Sequence, residues 1–194
     1  MAIYLTGLVV FFGTHLFTGI RSRAPGQDMR QRMGEGPYMG LYSIAALGGF
    51  VLLLYGYSQA DGAATLYAAP TWGRHLNYIL MPIALVALVA AYMPTGYIKI
   101  ALKHPMLVAV KLWAVGHLLA NGEVRSVLLF GAFLAYAVFA RIVVKRRGDT
   151  GTGPDVKANV VGDALAVGIG LALSVAIILY LHPVLFGRHV WPPA

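Results

Sequence analysis

Six long apolar segments separated by short polar ones make up most of this chain, and a bilayer admits such segments only as helices or closed barrels. About 20 predominantly apolar residues are enough for one helical crossing. The segments run from Ala2 to Ile20, Tyr38 to about Ser58, Leu76 to Met93, Pro105 to Ala120, Val124 to Val144 and Val160 to about His182. Hydrophobic residues form 59% of the chain, against 11% charged, and mean hydropathy is +0.72, so no soluble domain fits between the spans. The expected fold is all-α: a polytopic membrane bundle of about six transmembrane helices, with residues 1–194 forming one transmembrane domain. Its first partner is the lipid bilayer itself.

The net charge of +8 would suggest nucleic acid in a soluble protein. Here its distribution fits membrane orientation instead. Arg21, Arg23, Arg30, Arg32, Lys99, Lys103, Arg141, Lys145, Arg146, Arg147 and Lys157 lie in or beside the odd-numbered loops, and the opposite side carries Arg74, Arg125 and Arg188. The positive-inside rule then places the odd loops in the cytoplasm and both termini outside. The first segment lacks a basic n-region and ends at Arg21 rather than at a small-residue cleavage site, so it reads as a retained span. With no cysteine, the chain has no disulfides, no thiolate metal ligands and no covalent haem attachment through C-x-x-C-H.

The first loop, RSRAPGQDMRQRMGEGP, mixes charge with glycine and proline, and a short interfacial helix is expected around Met29 to Met33. Residues 145–159, KRRGDTGTGPDVKAN, read as a flexible cytoplasmic loop. Small residues cluster in GLYSIAALGG and GDALAVGIGLALS, which predicts close helix packing in the second and sixth spans. Glu123 and Arg125 in the tight NGEVRS turn read as an exposed local pair of little energetic weight.

Ionisable groups at membrane depth mark functional positions. The fourth span, with its flanks HPMLVAVKLWAVGHLLANG, carries His104, Lys111 and His117. His104 and His117 are 13 residues apart, roughly 20 Å of rise and about 220° of rotation on one straight helix, so they do not share a metal there. Another helix must supply the partner, and His15 in GTHLFTGIR is the only histidine in the interior of another span. His75, His182 and His189 sit at span ends or in the tail, where imidazoles meet water and headgroups. Lys111 can reach the interface or pair with Asp163, the only acid inside a span. A di-iron carboxylate centre needs several inward acids, and zinc hydrolysis needs a motif such as H-E-x-x-H. Histidines on separate helices among apolar neighbours instead suit non-covalent haem b.

The stretch HPMLVAVKLWAVGHLLANG followed by SVLLFGAF, with GTHLFTGIR and MGEGPYMGLYS, resembles the bacterial NnrU family over most of the first 145 residues. That resemblance implies a bacterial inner-membrane protein associated with nitrite and nitric oxide metabolism. The pattern is also similar to the related 15-cis-zeta-carotene isomerases, which bind haem b. What that likeness implies is iron ligation at His15 and His117, with His104 matching a further important histidine. Depth along the helices favours His104 over His117 as the partner of His15, so His104 stands as the replacement ligand. The isomerases have a cysteine three residues before the second ligand; Ala114 stands there in this chain. Arg21 or Arg23 would pair with a haem propionate, given the fit of guanidinium to carboxylate.

Three functions follow as expectations. The first is iron-based redox or isomerase chemistry on a lipophilic substrate such as a cis-carotenoid. The second is a non-enzymatic haem sensor, electron carrier or accessory factor of denitrification. The third is a small transporter using Lys111, Asp163 and the histidines as a path.

Overall fold

The computed structural model describes residues 1–60, 64–153, 155–187 and 189–190. Arg188, counted above among the outer-side charges, and Pro154 of the fifth loop lie outside the described residues. The order of elements is α1 (Ala2–Ile20), α2 (Met29–Met33), α3 (Glu35–Gln59), α4 (Thr71–Tyr92), α5 (Tyr97–Leu102), α6 (Pro105–Ala120), α7 (Val124–Arg146) and α8 (Val160–Ala176). A π-helical turn, Ile177–Leu181, joins α8 to α9 (His182–Phe186). Among the described residues the rest of the regular structure is one isolated bridge, Thr65 to Glu123. The fold is therefore all-helical.

Among the described residues, five helical stretches are long and apolar enough to cross a membrane: α1, α3, α4, α7 and the run Val160–Phe186. The remaining apolar helix, α6, has 16 residues, about 24 Å of rise, short of the ~30 Å hydrocarbon core. Pro105 opens α6 at its first turn, where a missing N–H costs nothing. The short helix expected in the first loop is α2, capped by the Asp28 carboxylate, which accepts from the Arg30 amide at 2.9 Å. Helix α5 carries no signal among the apolar segments and was not foreseen.

The helices pack as two compact units, Met1–Ala68 with Gly122–Val143 and Ala69–Asn121 with Val144–Ala194. In the first, α1 and α3 meet through glycines. A Cβ on Gly7 would strike the Leu53 backbone, one on Gly56 the Tyr4 backbone, and one on Gly49 would come within 2.6 Å of the Phe11 nitrogen. Tyr4, Leu8, Phe12 and Leu53 form the buried core, with Phe133 and Tyr136 of α7 packed against it. The hydroxyl of Tyr4, fully buried, donates to the Arg125 carbonyl at 2.7 Å.

Arg125 corrects the expectation of an exposed pair. Its side chain is 17% exposed, donates to Glu123 at 3.0 Å and to the Ala60 carbonyl at 2.9 Å, and lies over the Tyr57 ring at 5.0 Å. It ties the end of α3 to the start of α7. A charge satisfied by several partners in a half-buried setting contributes more than an isolated surface ion pair.

In the second unit α4 packs on α6 and on α8. Gly73 faces the Leu119 carbonyl, Gly116 lies against Asn77 and Met81, and Gly170 would place a Cβ 2.7 Å from the Val86 Cα. Val89, Ala90 and Ala166 form a small core between α4 and α8. Asp163, on the first turn of α8, accepts from the amides of Tyr97 at 2.8 Å and Ile98 at 3.0 Å. It therefore caps α5, and among the described residues it forms no ion pair with Lys111. Asp163→Ala is expected to lower stability by about 1–2 kcal/mol. Asp163→Asn, which keeps an acceptor, should recover most of it, read as the melting temperature in detergent.

Candidate functional site

His15 sits one turn and a half from the end of α1, inside the first unit. Its Nδ1 is 2.7 Å from the Phe11 carbonyl, four residues back on the same helix. A carbonyl only accepts, so Nδ1 carries the hydrogen and the lone pair of the neutral ring lies on Nε2. Around the imidazole stand Phe11 at 4.2 Å, Tyr136 at 5.5 Å and Tyr42 at 5.6 Å between ring centroids. Three helices thus supply an aromatic wall for one histidine.

His117 repeats the arrangement in the second unit. Its Nδ1 is 2.8 Å from the Trp113 carbonyl, again four residues back, and the Trp113 ring lies 5.3 Å away. The neighbouring Ala114 is fully buried, and Gly116 lets α4 close in with Asn77. The Asn77 Oδ1 is buried with no hydrogen-bond partner among the described residues. The amide of His182 bonds the Ile177 carbonyl five residues back, and such a π-turn shifts the helix register at the point where His182 begins α9.

His104 is used differently. It precedes α6, its side chain is 13% exposed, and its Nε2 donates to the Asp149 carbonyl at 3.0 Å, with the Asp149 carboxylate at 3.9 Å. Lys103, at φ 62°, turns the chain immediately before it, and Gly151 packs against the Lys103 carbonyl. Asp149 and Gly151 of the fifth loop thus meet the start of α6. The far end of that loop is held too, by the Asn159 amide on the Thr95 carbonyl at 2.8 Å.

Arg21 and Arg23 separate as well. The guanidinium of Arg21 is paired with Asp28, with side chains 8% and 9% exposed, and stacks over the Tyr38 ring at 5.2 Å. Arg23 is exposed. Lys111 is half-buried and makes no hydrogen bond or ion pair among the described residues. His182, weighed above as a span-end residue, is followed by proline, as His104 is. Tyr42 and Tyr136 had none, since their meeting at His15 depends on which faces of α3 and α7 turn toward α1.

Among the described residues no group of three or more His, Cys, Asp or Glu side chains could hold a metal ion. A macrocycle needs only one or two imidazoles. The fold and these sites define a multi-pass helical membrane protein with single histidines held in fixed tautomers within its helices. A family model described as NnrU protein matches residues 3–190, and the chain belongs to that family. The match extends the resemblance through α8 and α9. No curated protein and no solved structure matches the chain.

Proposed function

We propose that this NnrU protein binds haem b non-covalently in the bacterial inner membrane and uses it in redox or isomerase chemistry on a lipophilic molecule such as a cis-carotenoid. One observation carries the reading: His15 and His117 each tie Nδ1–H to the carbonyl four residues back, which leaves the lone pair on Nε2. Metal-ligating histidines are oriented by just such a bond from the other ring nitrogen. His104 spends Nε2 on Asp149, so it is the weaker of the three as a ligand. Each of His15 and His117 is proposed as an axial ligand in its own right.

Haem, held through Nε2 of these histidines, would supply a redox-active iron. The chain's own part is to hold and screen. Phe11, Tyr42 and Tyr136 pack around the His15 ring, and Trp113 lies beside that of His117. Arg23, the exposed cation of the pair at the end of α1, is proposed as the partner of a propionate. With Asp163 committed to capping α5, a transport path through it loses its acid.

The fully buried Ala114 favours a second reading. A small apolar side chain packed there, in a chain without cysteine, offers no thiolate to exchange with an imidazole. That supports a non-enzymatic haem protein, a sensor, electron carrier or accessory factor in nitrite and nitric oxide metabolism. The test begins with oxidised and reduced absorption spectra of the detergent-purified protein expressed with ample haem. A Soret band is expected, and its absence overturns both readings. If haem is present, incubation with 9,15,9'-tri-cis-zeta-carotene decides between them: conversion supports the isomerase, and an unchanged isomer profile under reducing conditions supports the second reading.

A further inference from the structure

The last turn of α7 carries Lys145 and Arg146, and α6 begins at Pro105, just after Lys103 and His104. The fifth loop ties these two helix ends together within the second unit. The Gly148 amide bonds the Lys145 carbonyl at 3.1 Å and the Asp149 amide the Val144 carbonyl at 3.0 Å, so the chain turns back at Gly148, φ 68°. Asp149, three residues and at most about 11 Å of chain beyond Arg146, then presents its carbonyl to Nε2 of His104 at 3.0 Å. Gly151 lies so close to the Lys103 carbonyl that a Cβ there would strike it. At Lys103 the backbone takes φ 62° and ψ −55°, and the His104 amide reaches across it to the Leu102 carbonyl at 2.7 Å. That is a γ-turn of the rare, strained hand, and such strain persists only where surrounding contacts hold it.

These contacts gather cations. Lys103, Lys145, Arg146 and Arg147 are all exposed, and the acid among them, Asp149, accepts from the Gly151 amide at 2.7 Å and lies 3.9 Å from His104. The side chains of Lys103, Lys145 and Arg146 make no hydrogen bond or ion pair among the described residues. Like charges gathered in this way repel one another until an anion offsets them. Their level along the helices selects the anion. Helix α7 is long and apolar enough to cross a membrane and ends here, α6 starts apolar, and Met106, three residues from Lys103, is 41% exposed. Anions at the end of a span are lipid phosphates, and cations beside a span are drawn to anionic lipids. The loop is also held at its far end, by Asn159 on the Thr95 carbonyl, so it stays near the helix ends, which favours a lipid over a soluble acidic protein. We propose that the start of α6 and the folded fifth loop bind the headgroup of an anionic phospholipid, Lys103, Lys145 and Arg146 supplying the charge and Met106 an apolar flank.

This site does not depend on haem, and the test is run on protein prepared with and without it. Dioleoylphosphatidylglycerol, dioleoylphosphatidylcholine, inorganic phosphate and polyglutamate are titrated separately into the detergent-purified full chain. The melting temperature and the adducts retained in native mass spectrometry are read. Phosphatidylglycerol is expected to bind saturably and to raise the melting temperature, and phosphatidylcholine, with the same acyl chains, to do neither. Each of Lys103→Gln, Lys145→Gln and Arg146→Gln should weaken phosphatidylglycerol binding roughly fivefold, the usual worth of one cation at an anionic lipid surface, and the triple variant should abolish it. Their lipid-free melting temperatures should match the parent's, since these side chains have no partner to lose. Arg32→Gln removes one exposed cation of the first unit and should leave the affinity unchanged. Equal weakening in Arg32→Gln would mean that only net charge is felt and would overturn the proposal. So would equal binding of the two lipids, or unaltered affinity in the three variants. A response to polyglutamate in place of the lipid would make this a surface for an acidic protein, and a response to inorganic phosphate in its place a site for free phosphate; either overturns it as well.

Discussion

His117→Ala protein is expected to leave the detergent column with most of its Soret absorbance lost, and His15→Ala with the same deficit, while His104→Ala keeps a spectrum like that of the unaltered chain. The reasoning rests on the ring nitrogens. In His15 and His117 the hydrogen of Nδ1 is committed to a helical carbonyl, so Nε2 is the basic nitrogen; in His104 it is Nε2 that donates. Losing an axial imidazole removes a coordinate bond and not merely a contact, so the effect should be at least tenfold in haem retained after washing. The melting temperature of haem-free samples separates ligand loss from misfolding. A His104→Ala spectrum that collapses while His117→Ala stays intact would reverse the assignment. Loss in His104→Ala of protection at residues 149–151 in hydrogen exchange is the effect its observed bond requires.

Gly56→Leu should be the most damaging single change outside the histidines. The Cβ it adds would meet the backbone of Tyr4, and backbone cannot swing aside as a flexible side chain can. Overpacking a close helix contact costs at least about 1–3 kcal/mol, and here it separates α1 from α3 along the face that also positions Phe11 and His15. The expected result is little monodisperse protein after size-exclusion chromatography. Gly48→Leu is the control: a Cβ there meets nothing within 4 Å, so its elution and melting should match the parent chain. Equal behaviour of the two variants would mean that the glycine face of α3 carries no packing weight.

The contrast between Gly48 and Gly56 also marks the limit of reading this chain from its residues. Both lie in the second span, and composition alone treats them alike. Only the face that α3 turns toward α1 makes one indispensable. The same holds for Asp163, an acid inside a span that invited a cationic partner until the α5 amides were seen to claim it. The π-turn before His182 was likewise invisible in the sequence. Arg125 looked exposed because the NGEVRS turn is polar, yet the ends of α3 and α7 close over it.

The order and approximate length of the six apolar helices, the short helix at Met29–Met33 and the membrane as solvent were determined by the sequence alone. Hydropathy is a local sum, and the bilayer enforces internal hydrogen bonding on every apolar segment whatever its neighbours. The positions of His15 and His117 were legible for the same reason, since an imidazole among apolar residues is costly wherever the helix points. Which ring nitrogen holds the lone pair, which glycines touch another helix and which acids are already spent were decided only in the tertiary structure. Those depend on directional bonds and on the rotation of each helix about its axis. In lipid that rotation is set by packing between helices and not by the contrast between water and oil.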